Sequence, residues 1–282
     1  MGALISPERP APIARYQGGR VDWSQEGLAA QPSWRGLLSD IDDTLTLHGR
    51  LTPSAFQALA EVRARGLKVV LVTGRPAGWV DHIARMWPVD GVVGENGGLW
   101  FYYEQGRLHQ RYLASSEERR ERRARLDALA ERILREVPGC ALASDQGYRA
   151  LDLAIDFCED VPPLPPEAID HIVAIFEEEG AQAKVSSIHV NGWFGEWDKL
   201  TGCRHLLQEG WGRELNAAEL TRWAYFGDSA NDEPMFEAFP YSVGVANVAP
   251  FLPRMRSHPR WITPSEGGEG FVEGARALKM IP

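Results

Sequence analysis

Three short apolar runs alternate with two helical patterns between residues 36 and 94. The runs cover residues 36–39, 67–72 and 91–94, and the middle run is β-branched with almost no polar alternation. A strand of that kind is buried on both faces, as in a parallel sheet that is covered by helices. Because parallel neighbours are joined by crossover helices, this order predicts an α/β fold with a Rossmann-like, doubly wound parallel-sheet core.

The overall charge narrows the classes of partner. The 282 residues carry a formal net charge of −9. Nucleic acids and anionic membranes attract basic surfaces, so we expect neither as the main partner. The three cysteines show neither the spacing of metal ligands nor that of a disulfide framework. The N-terminus lacks the apolar region of a signal peptide, and no apolar run is long enough to cross a membrane. These features favour a cytoplasmic location and leave the oligomeric state open.

The pattern changes after residue 98. A hairpin, a long helix, a strand, a second helix and a further strand follow one another, which is typical of an α+β unit with one solvated sheet face. The pattern of the first domain resumes near residue 196. We therefore predict an irregular N-terminal arm at residues 1–35, a core at residues 36–97 and 196–282, and an inserted α+β cap unit at residues 98–195.

Two predicted strands of the core end at polar residues. The first stops at Asp40 and Asp42, whose like charges are costly at close range unless a cation neutralises them. Such a pair can supply a nucleophile and a general acid/base, although an acidic turn gives the same pattern. The next strand ends at Thr73, Gly74 and Arg75, where a hydroxyl group and an accessible backbone N–H suit a phosphate oxygen. An ordinary strand-to-helix turn is the alternative there.

Two further signals lie in the second half of the core. Lys199 stands where the chain re-enters the core, and a cation there can bind phosphoryl oxygens, although most lysines lie on the surface. Asp228, Asn231 and Asp232 follow the predicted strand at residues 223–226. Their oxygens suit a hard cation such as Mg²⁺, whereas a helix cap would also use these residue types.

The inserted unit offers candidates for substrate contact. Asn96 lies at the first crossing between core and insert, in a polar turn that could be a hinge and a contact. The segment at residues 187–193 alternates, so that His189, Asn191 and Trp193 share one face of a strand. Imidazole, amide and indole groups bind sugar hydroxyls and rings, although ordinary sheet packing explains the alternation equally well.

The four core motifs, taken in order, resemble those of the haloacid dehalogenase superfamily of phosphohydrolases. The pattern is Asp-x-Asp-x-Thr from Asp40, Thr-Gly-Arg from Thr73, then Lys199, and Gly-Asp-x-x-Asn-Asp from Gly227. The resemblance covers roughly residues 36–282. The insert is similar to the type IIB cap of sucrose-phosphate and mannosyl-3-phosphoglycerate phosphatases and of Cof-like enzymes.

This resemblance implies a Mg²⁺-dependent phosphatase that works through a phospho-aspartate. One departure is Asp43, where many members have glycine. The resemblance assigns the nucleophile to Asp40, the general acid/base to Asp42, phosphoryl binding to Thr73 and Lys199, an orienting role to Asn231, and Mg²⁺ binding to Asp40, the Asp42 carbonyl, Asp228 and Asp232.

We expect hydrolysis of a small phosphorylated metabolite, either a sugar phosphate or a sugar-acid phosphate. A phosphotransferase or mutase could use the same aspartyl phosphate and would pass the phosphate to an acceptor sugar. A ligand-binding module on an inactive core is disfavoured, because every expected polar group is present.

Overall fold

The computed structural model describes residues 32–282. The predicted N-terminal arm therefore lies outside the described residues, except for residues 32–35. Within that short part, the indole Nε1 of Trp34 donates to the Leu278 carbonyl at 3.1 Å, and its ring meets Tyr241 edge to face. Trp34 therefore packs against the core.

The described chain contains fourteen strands and eight α-helices. The strands are β1 (Gly36–Ser39), β2 (Thr46–Leu47), β3 (Arg50–Leu51), β4 (Lys68–Val72), β5 (Gly91–Gly94), β6 (Leu99–Glu104), β7 (Arg107–Tyr112), β8 (Ala141–Leu142), β9 (Asp152–Asp156), β10 (Gln182–Val185), β11 (His189–Trp193), β12 (Trp223–Gly227), β13 (Tyr241–Gly244) and β14 (Trp261–Ile262).

The helices vary from one turn to six turns in length. They are α1 (Pro53–Ala64), α2 (Ala77–Met86), α3 (Ser116–Glu136), α4 (Pro166–Glu178), α5 (Lys199–Trp211), α6 (Ala217–Leu220), α7 (Glu233–Ala238) and α8 (Gly267–Ala277). Among the described residues, no helix is both long enough and apolar enough to cross a bilayer.

Eight strands form the core sheet, in the order β14-β13-β12-β1-β4-β5-β6-β7. The first six strands of that order run parallel to one another. Its central strands are buried on both faces, since Leu37 and Val69 join one apolar cluster while Leu38 and Val70 join another on the opposite side. The predicted α/β fold with a parallel-sheet core is confirmed.

The hairpin of β6 and β7 belongs to the core sheet, where β6 pairs antiparallel with β5. The prediction that this hairpin lies in the insert, beyond residue 98, is therefore wrong. The physical reason is the run Leu99 to Tyr102, which places Leu99 and Phe101 in one apolar cluster and Trp100 and Tyr102 in the other. A strand that is apolar on both sides needs the cover that only the large sheet provides.

A second, antiparallel sheet has the order β10-β11-β9-β8. We call this sheet, together with α3 and α4, the small layer. Leu153, Ile155 and Val190 point to the two helices and form a separate apolar cluster with them. The opposite face was expected to be solvated, but its Asp152 and Asn191 are 0% and 1% exposed. They are buried because this face lies against the core.

At Gly192 the small layer has no room for a side chain, because a Cβ atom there would lie 2.1 Å from the ring of Phe176. We expect Gly192→Ala to lower the free energy of unfolding by about 1–3 kcal/mol, since overpacking forces close-packed neighbours apart. Urea denaturation followed by circular dichroism measures this change. Gly147→Ala is the control, because a Cβ atom at Gly147 has nothing within 4 Å. Equal losses in the two variants would contradict the packing described.

Candidate active site

The carboxyl ends of three neighbouring strands meet at one edge of the core sheet. Because β1 lies between β12 and β4, the residues that directly follow these strands, Asp40, Asp228 and Thr73, come together there. This is the edge at which open α/β sheets bind ligands. The three residues are 4%, 1% and 0% exposed, respectively. The predicted motifs therefore converge on a site that is largely shielded from water.

Lys199 is the first residue of α5 and is 1% exposed. Its Nζ lies 2.6 Å from Asp40 Oδ1, 2.6 Å from Asp232 Oδ1 and 3.1 Å from Asn231 Oδ1. Burial would lower the pKa of Lys199, but the carboxylates of Asp232 and Asp40 raise it above its ordinary value. The lysine is therefore a buried, permanently charged group aimed at the predicted nucleophile.

The carboxylates beside Lys199 fit a divalent cation. Asp40, Asp228 and Asp232 each offer an oxygen, and these oxygens lie within 4.8 Å of one another. Oδ2 of Asp228 is buried and has no hydrogen-bond partner. Burial raises the pKa of both Asp40 and Asp228 well above the ordinary value, although Lys199 opposes the rise. A cation would remove this cost, and oxygen ligands suit a hard one.

Asp232 is engaged more fully than the other two acids. Its Oδ1 accepts from Lys199 and from the Tyr225 hydroxyl, and its Oδ2 accepts from the backbone N–H groups of Asp228 and Ser229 at 2.9 and 3.1 Å. Asp232 therefore anchors both the lysine and the loop that carries Asp228. Its direct binding of a metal stays a prediction, and Asp228 has the freer oxygen.

The turn after Asp42 explains the departure at Asp43. This residue has a φ of 56°, a left-handed conformation that glycine adopts most easily and that Asp tolerates. Its backbone N–H donates to Thr46 Oγ1 at 2.8 Å, which holds the turn. Burial raises the pKa of Asp43, and a hydrogen bond with Ser187 of the small layer opposes that rise.

Arg75 lies among three carboxylates. Its Nε is 3.0 Å from Asp42 Oδ1, its Nη1 is 3.2 Å from Asp145 Oδ2, and its Nη2 is 2.6 Å from Glu159 Oε1. Burial would lower the pKa of Arg75, but Asp42 and Glu159 raise it. Thr73 Oγ1 accepts from the Arg75 backbone N–H at 2.9 Å and is thereby oriented. Phosphate binding by Thr73, Gly74 and Arg75 stays a prediction.

Two of the predicted substrate-contact residues line the same cleft as the core motifs. The cleft has a volume of about 290 Å³, and His189 and Asn191 face Asp40 and Asp42 across it. Asn191 Nδ2 also donates to Asp152 Oδ2 at 3.0 Å. Trp193 lies on the same, core-facing side of β11, as predicted, but it stacks on Trp197 within an apolar cluster of the core and does not line the cleft. Imidazole and amide groups are thus available to a bound ligand.

Asn96 lies beside the cleft rather than along it. Its side chain is 2% exposed, and neither its amide nitrogen nor its oxygen has a hydrogen-bond partner. A Cβ atom at Gly74 would lie 3.3 Å from Asn96 Nδ2, so the amide packs against the predicted phosphate-binding turn. Contact between Asn96 and a substrate stays a prediction.

Sequence reasoning missed the groups that tie the small layer to the core. The buried Glu95 accepts backbone N–H groups of Ala77, at 2.9 Å, and of Ala150, at 2.8 Å, and also those of the next two residues. Arg149 Nη1 donates to the Gly74 carbonyl at 2.8 Å. The position of Glu95 at a strand end was a usable signal, whereas no local pattern distinguishes Arg149 or Glu159.

Known proteins with similar sequences bear on the class of this chain. A family model described as haloacid dehalogenase-like hydrolase matches residues 37–121. A phosphoglycolate phosphatase of Methanoculleus marisnigri is 29% identical to this chain, over 85% of this chain and 94% of its own. A phosphoglycolate phosphatase of Methanosarcina mazei is 25% identical, over 87% of this chain and 97% of its own.

Solved structures share the fold. A protein of Thermoplasma acidophilum has a TM-score of 0.66 at 19% identity, covering 88% of this chain and 99% of that one. The sucrose-phosphatase of Synechocystis, in complex with sucrose and phosphate, has a TM-score of 0.62 at 20% identity, covering 87% and 98%.

The family model and the two relatives confirm the predicted class of phosphoric monoester hydrolase. The sequence match over residues 37–121 and the shared fold thus agree in making the chain similar to haloacid dehalogenase-like hydrolases. The resemblance recognised in the four motifs is thereby confirmed.

Removal of the buried lysine tests the charge arrangement. We expect Lys199→Met to lower the free energy of unfolding by about 3–5 kcal/mol in the presence of a chelator, because it leaves buried carboxylates unpaired. Urea unfolding at pH 7 measures the loss. The control is Lys68→Met, whose partner Asp90 lies 3.1 Å away but whose side chain is 42% exposed, so we expect about 0–1 kcal/mol. Comparable losses at both positions would contradict the arrangement.

The pH dependence of stability tests the contacts of Glu159. Burial would raise the pKa of Glu159, but His189 and Arg75 lower it to about 2, against an ordinary value of 4.5. Ionised Glu159 therefore stabilises the folded chain above pH 4.5, and this contribution is lost as the pH falls towards 2. We expect the difference in melting temperature between wild type and Glu159→Gln to shrink over that window. A difference that does not vary with pH would contradict the assignment.

Proposed function

We propose that the protein is a Mg²⁺-dependent phosphatase that releases phosphate from a small phosphorylated metabolite through an aspartyl phosphate at Asp40. The observation that carries this proposal is the contact of Lys199 with Asp40, beside the unpartnered oxygen of Asp228. Lys199 holds Asp40 through Oδ1 and so orients the carboxylate for attack. Such a buried cation next to a nucleophile suits the transfer of an anionic group.

Each residue of the site has a role in this mechanism. Asp40 attacks phosphorus, while Lys199 and the Thr73 hydroxyl bind phosphoryl oxygens. Mg²⁺, when bound, neutralises negative charge on those oxygens, and Asp40, the Asp42 carbonyl and Asp228 would hold it. Asn231, whose Oδ1 accepts from Lys199 and from Ser229, keeps the lysine in position.

Asp42 acts as the general acid/base. It donates a proton to the leaving oxygen and then takes one from the water that opens the acyl phosphate. In the structure, both oxygens of Asp42 accept from Arg75 Nε, at 3.0 and 3.1 Å. Arg75 must therefore release at least one of these oxygens before Asp42 carries a proton. We expect Arg75 to release this oxygen when the ester binds beside it.

The cleft favours a compact leaving group. Its volume of about 290 Å³ includes space that is open to solvent, so the room between the small layer and the strand ends is smaller still. The small layer covers the strand ends as a cap, which excludes water from the acyl phosphate until hydrolysis. Sugar phosphates and sugar-acid phosphates are both candidates, and the two relatives named phosphoglycolate phosphatase favour a phosphorylated acid.

The first experiment is phosphate release from phosphoglycolate, phosphoglycerates and sugar phosphates, with Mg²⁺ or with a chelator. We expect Mg²⁺-dependent release, and Asp40→Asn should lower it by about a thousandfold or more because the amide cannot act as the nucleophile. Asp81→Asn, in an exposed ion pair on α2, is the charge-matched control and should retain activity.

Two results would overturn the proposal. One is release that persists in Asp40→Asn, and the other is release that is unchanged by the chelator. Transfer of phosphate to an added sugar, in place of release to water, would identify a phosphotransferase that uses the same aspartyl phosphate.

A further inference from the structure

A carboxylate is already bound between two donors that line the cleft. Arg75 donates to Glu159 through Nη2, at 2.6 Å from Oε1, and through Nη1, at 3.3 Å from Oε2. His189 Nε2 lies 2.9 Å from Glu159 Oε2. The guanidinium fork binds the carboxylate through charge-assisted hydrogen bonds, and the imidazole Nε2, which makes no hydrogen bond of good geometry here, lies against the second oxygen.

The two donors are anchored more firmly than the carboxylate they hold. The side chains of Arg75 and His189 are 5% and 3% exposed, whereas that of Glu159 is 24% exposed. Arg75 and His189 line the cleft together with Asp40 and Asp42. A ligand in the cleft therefore meets Arg75 and His189 directly, whereas Glu159 does not itself line the cleft.

The backbone of Glu159 is held independently of its side chain. Asp156 accepts the backbone N–H groups of Cys158, Glu159 and Asp160, at 2.9, 2.7 and 2.8 Å. The Glu159 side chain can therefore leave Arg75 by rotating into solvent, with no rearrangement of the loop.

We propose that Arg75 and His189 form a carboxylate subsite for the leaving group of the substrate, and that Glu159 occupies this subsite until the substrate displaces it. The substrate class is then a phosphate ester of a short hydroxy acid, whose carboxylate reaches Arg75 while its phosphoryl group lies at Asp40. This inference rests on the proposed phosphatase function and specifies its substrate.

The balance of charge explains why an exchange is required. Arg75 is already paired with Asp42 and Asp145 as well as with Glu159. A further carboxylate added to this group would be repelled, whereas one that replaces Glu159 leaves the charge unchanged. An uncharged leaving group cannot replace the ionic contacts that Arg75 and His189 make with Glu159. The site therefore discriminates against neutral analogues.

The need to displace Glu159 also reduces the apparent affinity of the protein for a carboxylate substrate. Because only molecules with Glu159 displaced can bind the substrate carboxylate, the KM for a carboxylate substrate is raised by the inverse of their fraction. Removing the charge of Glu159 should relieve this competition. A phosphate ester of the same length with an uncharged leaving group does not use the subsite and serves as the internal reference.

The test compares phosphoglycolate with 2-hydroxyethyl phosphate, which carries a hydroxymethyl group in place of the carboxylate. We expect wild type to prefer phosphoglycolate, and Glu159→Gln to lower the KM for phosphoglycolate by about tenfold while changing that for 2-hydroxyethyl phosphate by less than about twofold. Asp160→Asn makes the same change of charge at the next residue and should leave the ratio of the two KM values unchanged.

A second variant removes a donor. We expect His189→Asn to lower the preference for phosphoglycolate over 2-hydroxyethyl phosphate by about tenfold, because the substrate carboxylate would lose the polar group that lies beside the guanidinium of Arg75. Circular dichroism and melting temperature confirm that each variant is folded. A preference that is unchanged in both Glu159→Gln and His189→Asn, or an equal effect on both substrates, would overturn the subsite.

The generic ester p-nitrophenyl phosphate separates this inference from the proposed function. Mg²⁺-dependent hydrolysis of that ester, together with an unchanged substrate preference in the variants, would refute the carboxylate subsite alone. Absence of Mg²⁺-dependent hydrolysis of all three esters would refute the phosphatase proposal itself.

Discussion

Lys199 forms the contact on which the rest of the site depends. A buried ammonium group is stable only when its surroundings compensate for the loss of hydration. Here Asp40, Asp232 and Asn231 do this by accepting hydrogen bonds from Lys199. The arrangement in turn fixes the neighbouring strands, because Asp40 follows β1 and Asp232 belongs to the loop after β12. Tyr225, on β12 itself, completes the coordination of Asp232.

The crossing of two backbone segments places this lysine. Gly97 packs so closely against the residue before Lys199 that a Cβ atom on it would lie 1.9 Å from the Asp198 carbonyl oxygen. Only glycine permits that approach, and its φ of 108° belongs to the same requirement. The turn between β5 and β6 therefore meets the start of α5, whose N-terminal cap, Asp198, accepts from the Thr201 N–H at 2.8 Å.

A second set of buried charges joins the small layer to the core and shapes the cleft. Glu95 accepts hydrogen bonds from backbone N–H groups of both the core and the segment that leads into β9 of the small layer. Arg149 donates to Asp145, to Asp152 and to the carbonyl of Gly74. Arg75 extends the set to Asp42, which lines the cleft. The same contacts that hold the two layers together therefore reach the groups that line the cleft.

The sequence by itself determined the parallel core and the positions of the core motifs, because a buried strand and the polar residues at its end are adjacent in the chain. Asp40, Thr73 and Asp228 could be placed together on that basis alone. Tertiary structure decided the rest. It moved the β6–β7 hairpin into the core sheet, buried the polar face of the small layer, and brought Glu159 to Arg75 and His189. Such contacts join residues far apart in the chain, and local periodicity does not record which distant charge satisfies a buried one.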